Sequence, residues 1–322
     1  MNTVVDRWRS FWFRPEPATT LGVVRIAFGV LAIAWTLSLY PDLRVLFGPD
    51  GVLPQHPSIS YRWGVFDVAT SESALLIGWW VLLVSAVAMT VGWHSRIAAL
   101  LVFVLVVSFD RRNPFVFNSG DVLFRIEALF LALSPCGAAL SVDQLRRAGS
   151  FVAAQWRAPW ALRLMQVQVS LIYLSTVQIK TSGASWPDGT AVSYALRLDD
   201  MILVPAPHWV TTHAFLMNVA TWATLAVELS IGILVWNRRL RPWVLSAGVI
   251  MHLMIMININ VGFFSLAMFV AYLAFIPPQA AHRLGHTIQR RLSQSRARFR
   301  RENRIHPADS TEVETDDTPV AV

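Results

Sequence analysis

"TTLGVVRIAFGVLAIAWTLSLY", residues 19–40, decides the fold class of this chain. Arg25 is its only charge. At 1.5 Å per residue its roughly 22 residues reach about 33 Å as a helix, the thickness of a bilayer's hydrocarbon core. The apolar residues run on without the strict alternation that a barrel strand needs. In lipid every backbone N–H and C=O must find its partner within the protein, so an unbroken apolar run of this length reads as an α-helix.

Similar runs recur at residues 74–92, 97–109, 122–140, 161–179, 212–236, 243–257 and 261–277. The 322 residues are 55% hydrophobic and only 15% charged, which excludes an ordinary soluble domain. The expected fold is an all-α integral membrane protein, a polytopic bundle of about eight transmembrane helices. The third run is short and the last two meet at "ININVGFF", residues 257–264, so seven spans or one long broken helix is the alternative count.

Cations alternate between loops in the way the positive-inside rule describes. With both ends inside, the inner segments carry Arg7, Arg9, Arg14, Arg96, Arg146, Arg147, Arg157, Arg238, Arg239, Arg241 and eight arginines between Arg283 and Arg304. The outer ones carry Arg44, Arg62, Arg111, Arg112, Lys180 and Arg197. The expectation is a multi-pass protein of the cell membrane with both termini cytoplasmic and Lys180 facing out. Three regions follow: a cytoplasmic segment 1–18, a membrane domain 19–277, and a cytoplasmic tail 278–322, first basic, then acidic and disordered. The start lacks the short apolar core and cleavage site of a secretory signal.

The net charge of +7 sits largely in the basic part of the tail. Beside a last span, such a segment reads as held against anionic lipids, at ~1 kcal/mol per cation, and not as a nucleic-acid site. Cys136 is the sole cysteine, which excludes an intrachain disulfide and a multi-cysteine metal site. HExxH, GxxxxGK[ST] and GxSxG are absent, so no zinc, phosphate-loop or nucleophile-elbow chemistry is expected. No internal repeat of the transporter kind is seen.

Charged and polar residues inside spans usually face protein or water. In the fifth run Gln166, Ser170, Tyr173 and Lys180 share one helical face. In the fourth, Asp121 and Arg125 have the i, i+4 spacing of an ion pair. In the sixth, Asn218, Thr221, Thr224 and Glu228 share a face, and the seventh brings His252. Arg25 and Arg125 read as structural ion-pair partners, because arginine keeps its proton, and Glu228 as a buried partner of one of them or a site residue. Lys180 is the only lysine among 27 basic residues. Snorkelling to the headgroups is served elsewhere in the chain by arginine. A desolvated lysine differs in that it can give up its proton and act as a base.

Six motifs in one order carry a family resemblance: "VVRIAFGVLAIAW" (23–35), "WHSRIA" (93–98), "RRNPFVFNSGDVLFRIEALFLALSP" (111–135) with "SVDQL" (141–145), "LIYLSTVQIKTSGASWPDG" (171–189), "LAVELSIGILVW" (225–236) and "MHLMIMININVGFFSLAMFVAYLAF" (251–275). Over about residues 20–277 the chain resembles the HTTM domain, the membrane domain of vitamin K-dependent γ-carboxylases, and its bacterial relatives, among them the sporulation-delaying protein B group. The resemblance implies that Lys180, followed by Trp186, is a base acting on a quinone in its hydroquinone form. Asn118, Asp121 and Tyr173 would line the site, with Arg25, Arg125, Glu228, His252 and Trp186 supporting it.

The carboxylases have a histidine beside the asparagine of the fourth-helix motif, whereas "FNSGDV" offers none, and protein γ-carboxylation is not expected. The second functional expectation, from the same relatives, is a non-catalytic partner in the maturation of a small secreted protein. No metal is expected in either case.

Overall fold

A computed structural model describes residues 2–54, 63–283, 285–287, 290 and 294. The acidic end of the tail and most of its basic part lie outside the described residues. The described chain is mostly helical. Its helices are α1 (Asn2–Phe13), α2 (Thr19–Leu39), α3 (Leu43–Phe47), α4 (Val65–Val68), α5 (Glu72–Val91), α6 (Ser95–Arg112) and α7 (Ser119–Leu133), then α8 (Val142–Ala148), α9 (Trp160–Thr181), α10 (Ala191–Ala195), α11 (His208–Thr212), α12 (Ala214–Leu234), α13 (Arg241–Asn258) and α14 (Phe264–Leu273). One small antiparallel ladder pairs β1 (Glu16–Pro17) with β2 (Trp156–Arg157).

Local chemistry sets several helix ends. Ser71 caps α5 by accepting from the Ala74 N–H, and Gly92 ends that helix in the left-handed region at φ 77°. Asn118 and Asp121 form a capping box on α7: Asn118 Oδ1 accepts from Gly120 N, and Asp121 Oδ2 accepts from Asn118 N at 2.8 Å. The fourth apolar run was expected to stay helical to Leu140. Its helix stops at Leu133, because "SPCG" brings a proline and a glycine, and residues 134–141 form a folded loop instead.

Hydrogen bonds between connecting segments gather them into two groups. At one end Ala18 N donates to Gln155 O, Asp143 N to Gly92 O, and Arg241 to Phe275 O. At the other, Arg112 donates to Gly48 O, Asn113 to Leu46 O, and Leu203 N to Asn258 O. Helix α2 runs through the middle, packed on α5 and α14. Its Phe28 stacks on Phe124 with ring centroids 4.6 Å apart, and Trp35 stacks on the same ring at 5.5 Å. Gly29 lets α5 come close: a Cβ there would sit 2.9 Å from Thr90 Cα, which a backbone cannot yield easily.

Eight spans were expected. Four helices, α2, α5, α12 and α13, are long and apolar enough to cross a membrane, and a fifth is counted if α14 and the following helix Pro278–Thr287, bent by 89°, form one broken span. The reasons the others fall short are visible in their residues. Helix α7 has 15 residues and α14 has 10, or about 22 and 15 Å of rise, less than a ~30 Å hydrocarbon core. Helix α6 carries Arg96, Asp110, Arg111 and Arg112, and α9 carries Arg163, three glutamines and Lys180.

Helix α13 illustrates how these elements divide their faces. Only Val244, Gly248 and His252 are buried, one stripe spaced four residues apart, while Trp243, Ile250, Met254 and Ile257 are exposed. Such apolar exposure suits lipid as the neighbour.

Candidate functional site

Helix α9 buries one polar face. Gln166 donates to Ala274 O at 2.7 Å, Ser170 accepts from Trp236 Nε1 at 2.9 Å, and Tyr173 is buried beyond them. Two turns further, in the last turn of the helix, Lys180 lies where the helix dipole favours a cation. Its Nζ is 2.6 Å from Glu228 Oε1 and sits 4.1 Å from the centroid of the Trp186 ring. The lysine side chain is 21% exposed and the glutamate 7%. Glu228 Oε2 is buried and has no hydrogen-bond partner among the described residues.

The loop after α9 fixes Trp186 beneath the ammonium. Thr190 N and Ala191 N both donate to Ser185 O, and Asp188 N donates to Ala184 O. Trp222 Nε1 donates to Pro187 O at 3.1 Å and Val192 N to Thr221 Oγ1 at 3.2 Å, so the loop is tied to α12, the helix that carries Glu228. Gly189, at φ 75°, lies against Asn218 and Trp222, and a side chain there would be strained as well as crowded.

Lys180 and Trp186 open onto a cavity of about 590 Å³ lined otherwise by α10, α12 and α13, chiefly by alanine, valine, isoleucine, leucine and methionine. Its polar lining groups besides Lys180 and Trp186 are Thr224 and Asn258. A cavity of this size and character suits a lipid-soluble molecule with one polar end.

Deeper along α9, Tyr173 Oη is hydrogen-bonded to His252 Nε2 at 2.8 Å and to Tyr272 Oη, and His252 Nδ1 meets Ser265 Oγ at 3.3 Å. Gly248, one turn before His252, admits the Tyr272 hydroxyl: a Cβ there would lie 2.6 Å from it. Tyr173 is therefore not a cavity-lining residue, and His252 holds α9, α13 and α14 together. Tyr272 and Ser265 were not anticipated. They stand seven residues apart in the last apolar run, a spacing that puts both on one helical face.

Several anticipated pairings are corrected. Asp121 does not pair with Arg125. Its Oδ1 accepts from Trp35 Nε1 at 2.8 Å and its other oxygen is taken by the α7 cap, while Arg125 is ion-paired with Asp110. The cap geometry turns Asp121 toward α2, and the end of α6 offers Arg125 a carboxylate of its own. Asn118 and Asp121 do not line the cavity. Asn118 instead caps α7 and reaches Val261 O.

Glu228 pairs with Lys180 and not with an arginine. Arg25, fully buried, meets no carboxylate among the described residues: it donates to Cys136 O at 2.9 Å, Ala139 O at 3.2 Å and Leu140 O. Cys136 lies in that loop, its thiol pushed up to about 11 by burial against the opposing pull of Arg25. It stays a protonated, inert thiol near neutral pH. Among the described residues no group of three histidines, cysteines or acids is placed to hold a metal.

A comparison with curated proteins and one with solved structures each return no match. The family model of the HTTM domain, by contrast, matches residues 13–279, from the end of α1 to just past α14. With its long apolar helices and this match over most of its length, the chain is a membrane protein that belongs to the HTTM domain family.

Proposed function

We propose that this protein binds a lipid-soluble molecule bearing an acidic hydroxyl, of the quinol class, and removes its proton with the Lys180–Glu228 pair. One observation carries the reading: the chain's only lysine meets a buried glutamate at the edge of a large apolar cavity. As an ammonium, Nζ has no lone pair to offer. Moving one proton the 2.6 Å from Nζ to Glu228 Oε1 turns the ion pair into a neutral amine and a carboxylic acid, and it is in this form that Nζ can act as a base.

The hydroxyl of the bound molecule then gives its proton to Nζ. The O–H bond breaks, an N–H bond forms, and oxygen keeps the electron pair. The product oxyanion faces the restored Lys180 ammonium, which Trp186 steadies by a cation–π contact. Glu228 retains the other proton. Arginine at position 180 could hold the anion but could not take the proton.

The test uses the purified protein and menaquinol-4 under anaerobic conditions. Wild-type protein is expected to red-shift the quinol's ultraviolet spectrum to that of the quinolate near neutral pH. Lys180→Arg is expected to bind the quinol, read by quenching of tryptophan fluorescence, without the red shift. An equal red shift in Lys180→Arg removes the base role. Failure of wild-type protein to bind the quinol at all removes the substrate class, and the chain is then better read as a scaffold for a small exported peptide.

In the membrane we place both termini on the cytoplasmic side, with α2, α5, α12 and α13 as full spans and the shorter or more polar α6, α7, α9 and α14 packed among them to complete the alternation of the chain between the two faces. What supports this is the gathering of connecting segments into two groups, with the arginine-rich ones together. Lys180 then faces outward. Ser182→Cys in whole cells is expected to react with a membrane-impermeant maleimide, whereas Asn237→Cys reacts only after the cells are opened. The reverse pattern inverts the orientation.

A further inference from the structure

The opposite end of the bundle holds a second cavity, of about 400 Å³, between the start of α6, the loop after α7, α8 and β2. Ser95, Arg96, Asp143, Arg147, Gln155 and Arg157 line it. It is built where two of the sequence motifs meet. Asp143, of "SVDQL", accepts from the His94 N–H at 2.9 Å, the Ser95 N–H at 2.8 Å and the Ser95 hydroxyl at 2.7 Å, all of "WHSRIA", and its own N–H donates to Gly92 O.

These bonds outweigh burial and hold the Asp143 carboxyl below its usual range, so it remains an anion committed to the first turn of α6. To make this junction His94 adopts φ 44°, a left-handed conformation that few non-glycine residues take. The outcome is a rigid corner from which Arg96 and Arg147 project, with Arg157 arriving from β2.

The charge at this corner is one-sided. Three guanidiniums face one carboxylate, which already accepts three hydrogen bonds and is attracted by Arg147 alone of the three. Among the described residues none of the three arginines is ion-paired to an acid, and Arg157 donates only to Gln155 Oε1. Guanidinium forks match the oxygens of phosphate, and several around one cavity hold it more strongly than isolated lysines would. Trp93, Ile97 and Trp156, all exposed, lie beside the arginines and offer apolar surface at the same level.

We propose that this cavity is a phosphate-binding site. The phosphate comes either from the headgroup of an anionic phospholipid, whose chains would lie along the exposed apolar residues of α6, or from a soluble phosphate. The site is separate from the proton-transfer pair and does not depend on it.

The test uses the full-length protein in a maltoside detergent, titrated in separate arms with inorganic phosphate, with phosphatidylglycerol and with phosphatidylcholine, binding being followed by the shift in thermal unfolding midpoint. Arg147→Gln/Arg157→Gln is compared with Arg238→Gln/Arg239→Gln, which removes as much charge elsewhere. The first pair is expected to weaken binding by roughly tenfold or more and the second to leave it unchanged. Saturable binding of phosphatidylglycerol, not of phosphatidylcholine or inorganic phosphate, identifies a lipid headgroup. Binding of inorganic phosphate alone identifies a soluble ligand. No saturable binding in the first two arms, or equal affinity in wild type and both variants, overturns the proposal.

Discussion

Glu228→Ala is expected to be among the most destabilising single changes in this protein, at about 2–4 kcal/mol. Removing one partner of a buried ion pair leaves the other charge desolvated and unpaired, typically at ~3–5 kcal/mol, and the partial exposure of Lys180 reduces that figure. Lys180→Met is expected to cost nearly as much, since among the described residues Glu228 then keeps no hydrogen-bond partner: Oε2 has none in the wild type and Oε1 loses Lys180.

The double change Lys180→Met/Glu228→Leu separates a wasted charge from a needed one. With both charges gone and the apolar cavity extended, most of the stability should return, because well-packed apolar pairs are often as stable as the ion pairs they replace. Chemical or thermal unfolding of the three variants in detergent measures this. Additive losses in the double variant would mean that the two side chains do not contact each other in the folded protein. Restored stability without restored quinol ionisation is the pattern expected if the pair is kept for chemistry.

Arg25→Met is expected to cost about 3–5 kcal/mol for a different reason. Here no charge pair is broken. The guanidinium donates to three carbonyls of the loop 136–140, and a buried carbonyl left without a donor costs about 1–3 kcal/mol. That loop contains Leu140 at φ 49°, a conformation sustained only when the surroundings hold it. Gly22 allows the close approach: a Cβ there would sit 2.8 Å from Ala139 O.

Arg25→Lys should recover only part of the loss, as a single ammonium cannot span three acceptors in the way a planar fork does. Equal stability of Arg25→Met and wild type in a thermal melt would show that the loop finds other donors. Since the loop also adjoins the arginine-lined cavity through Gly137 and Ala138, phosphate binding is the second readout in which this variant should fall.

The helices were legible because their signal is local and long. The first apolar run was bounded at 19–40 and the helix is Thr19–Leu39; the run 161–179 became Trp160–Thr181 and 243–257 became Arg241–Asn258. The polar face of α9 was legible for the same reason: a period of 3.6 already placed Gln166, Ser170 and Tyr173 together, and all three are buried. The ion pairs were not legible in the same way. Asp121 and Arg125 have ideal spacing on one helix, yet the helix cap claimed the aspartate and α6 supplied another acid for the arginine. Spacing fixes which residues share a face, and says nothing about which other element faces them.

The amino-acid order alone determined that this is a helical membrane protein, because burying a backbone in lipid leaves few solutions and the lengths of the apolar runs select among them. It also singled out Lys180, through the contrast with the arginines around it. Only the tertiary structure decided what that lysine does with its charge. Its partner Glu228 is 48 residues away, on a helix brought alongside by the packing of α12 on α9, and Trp186 is placed by a loop pinned to the same helix. The meeting of two groups so far apart in the chain depends on how whole helices pack, and that information is spread over every residue of their interface instead of residing in any one motif.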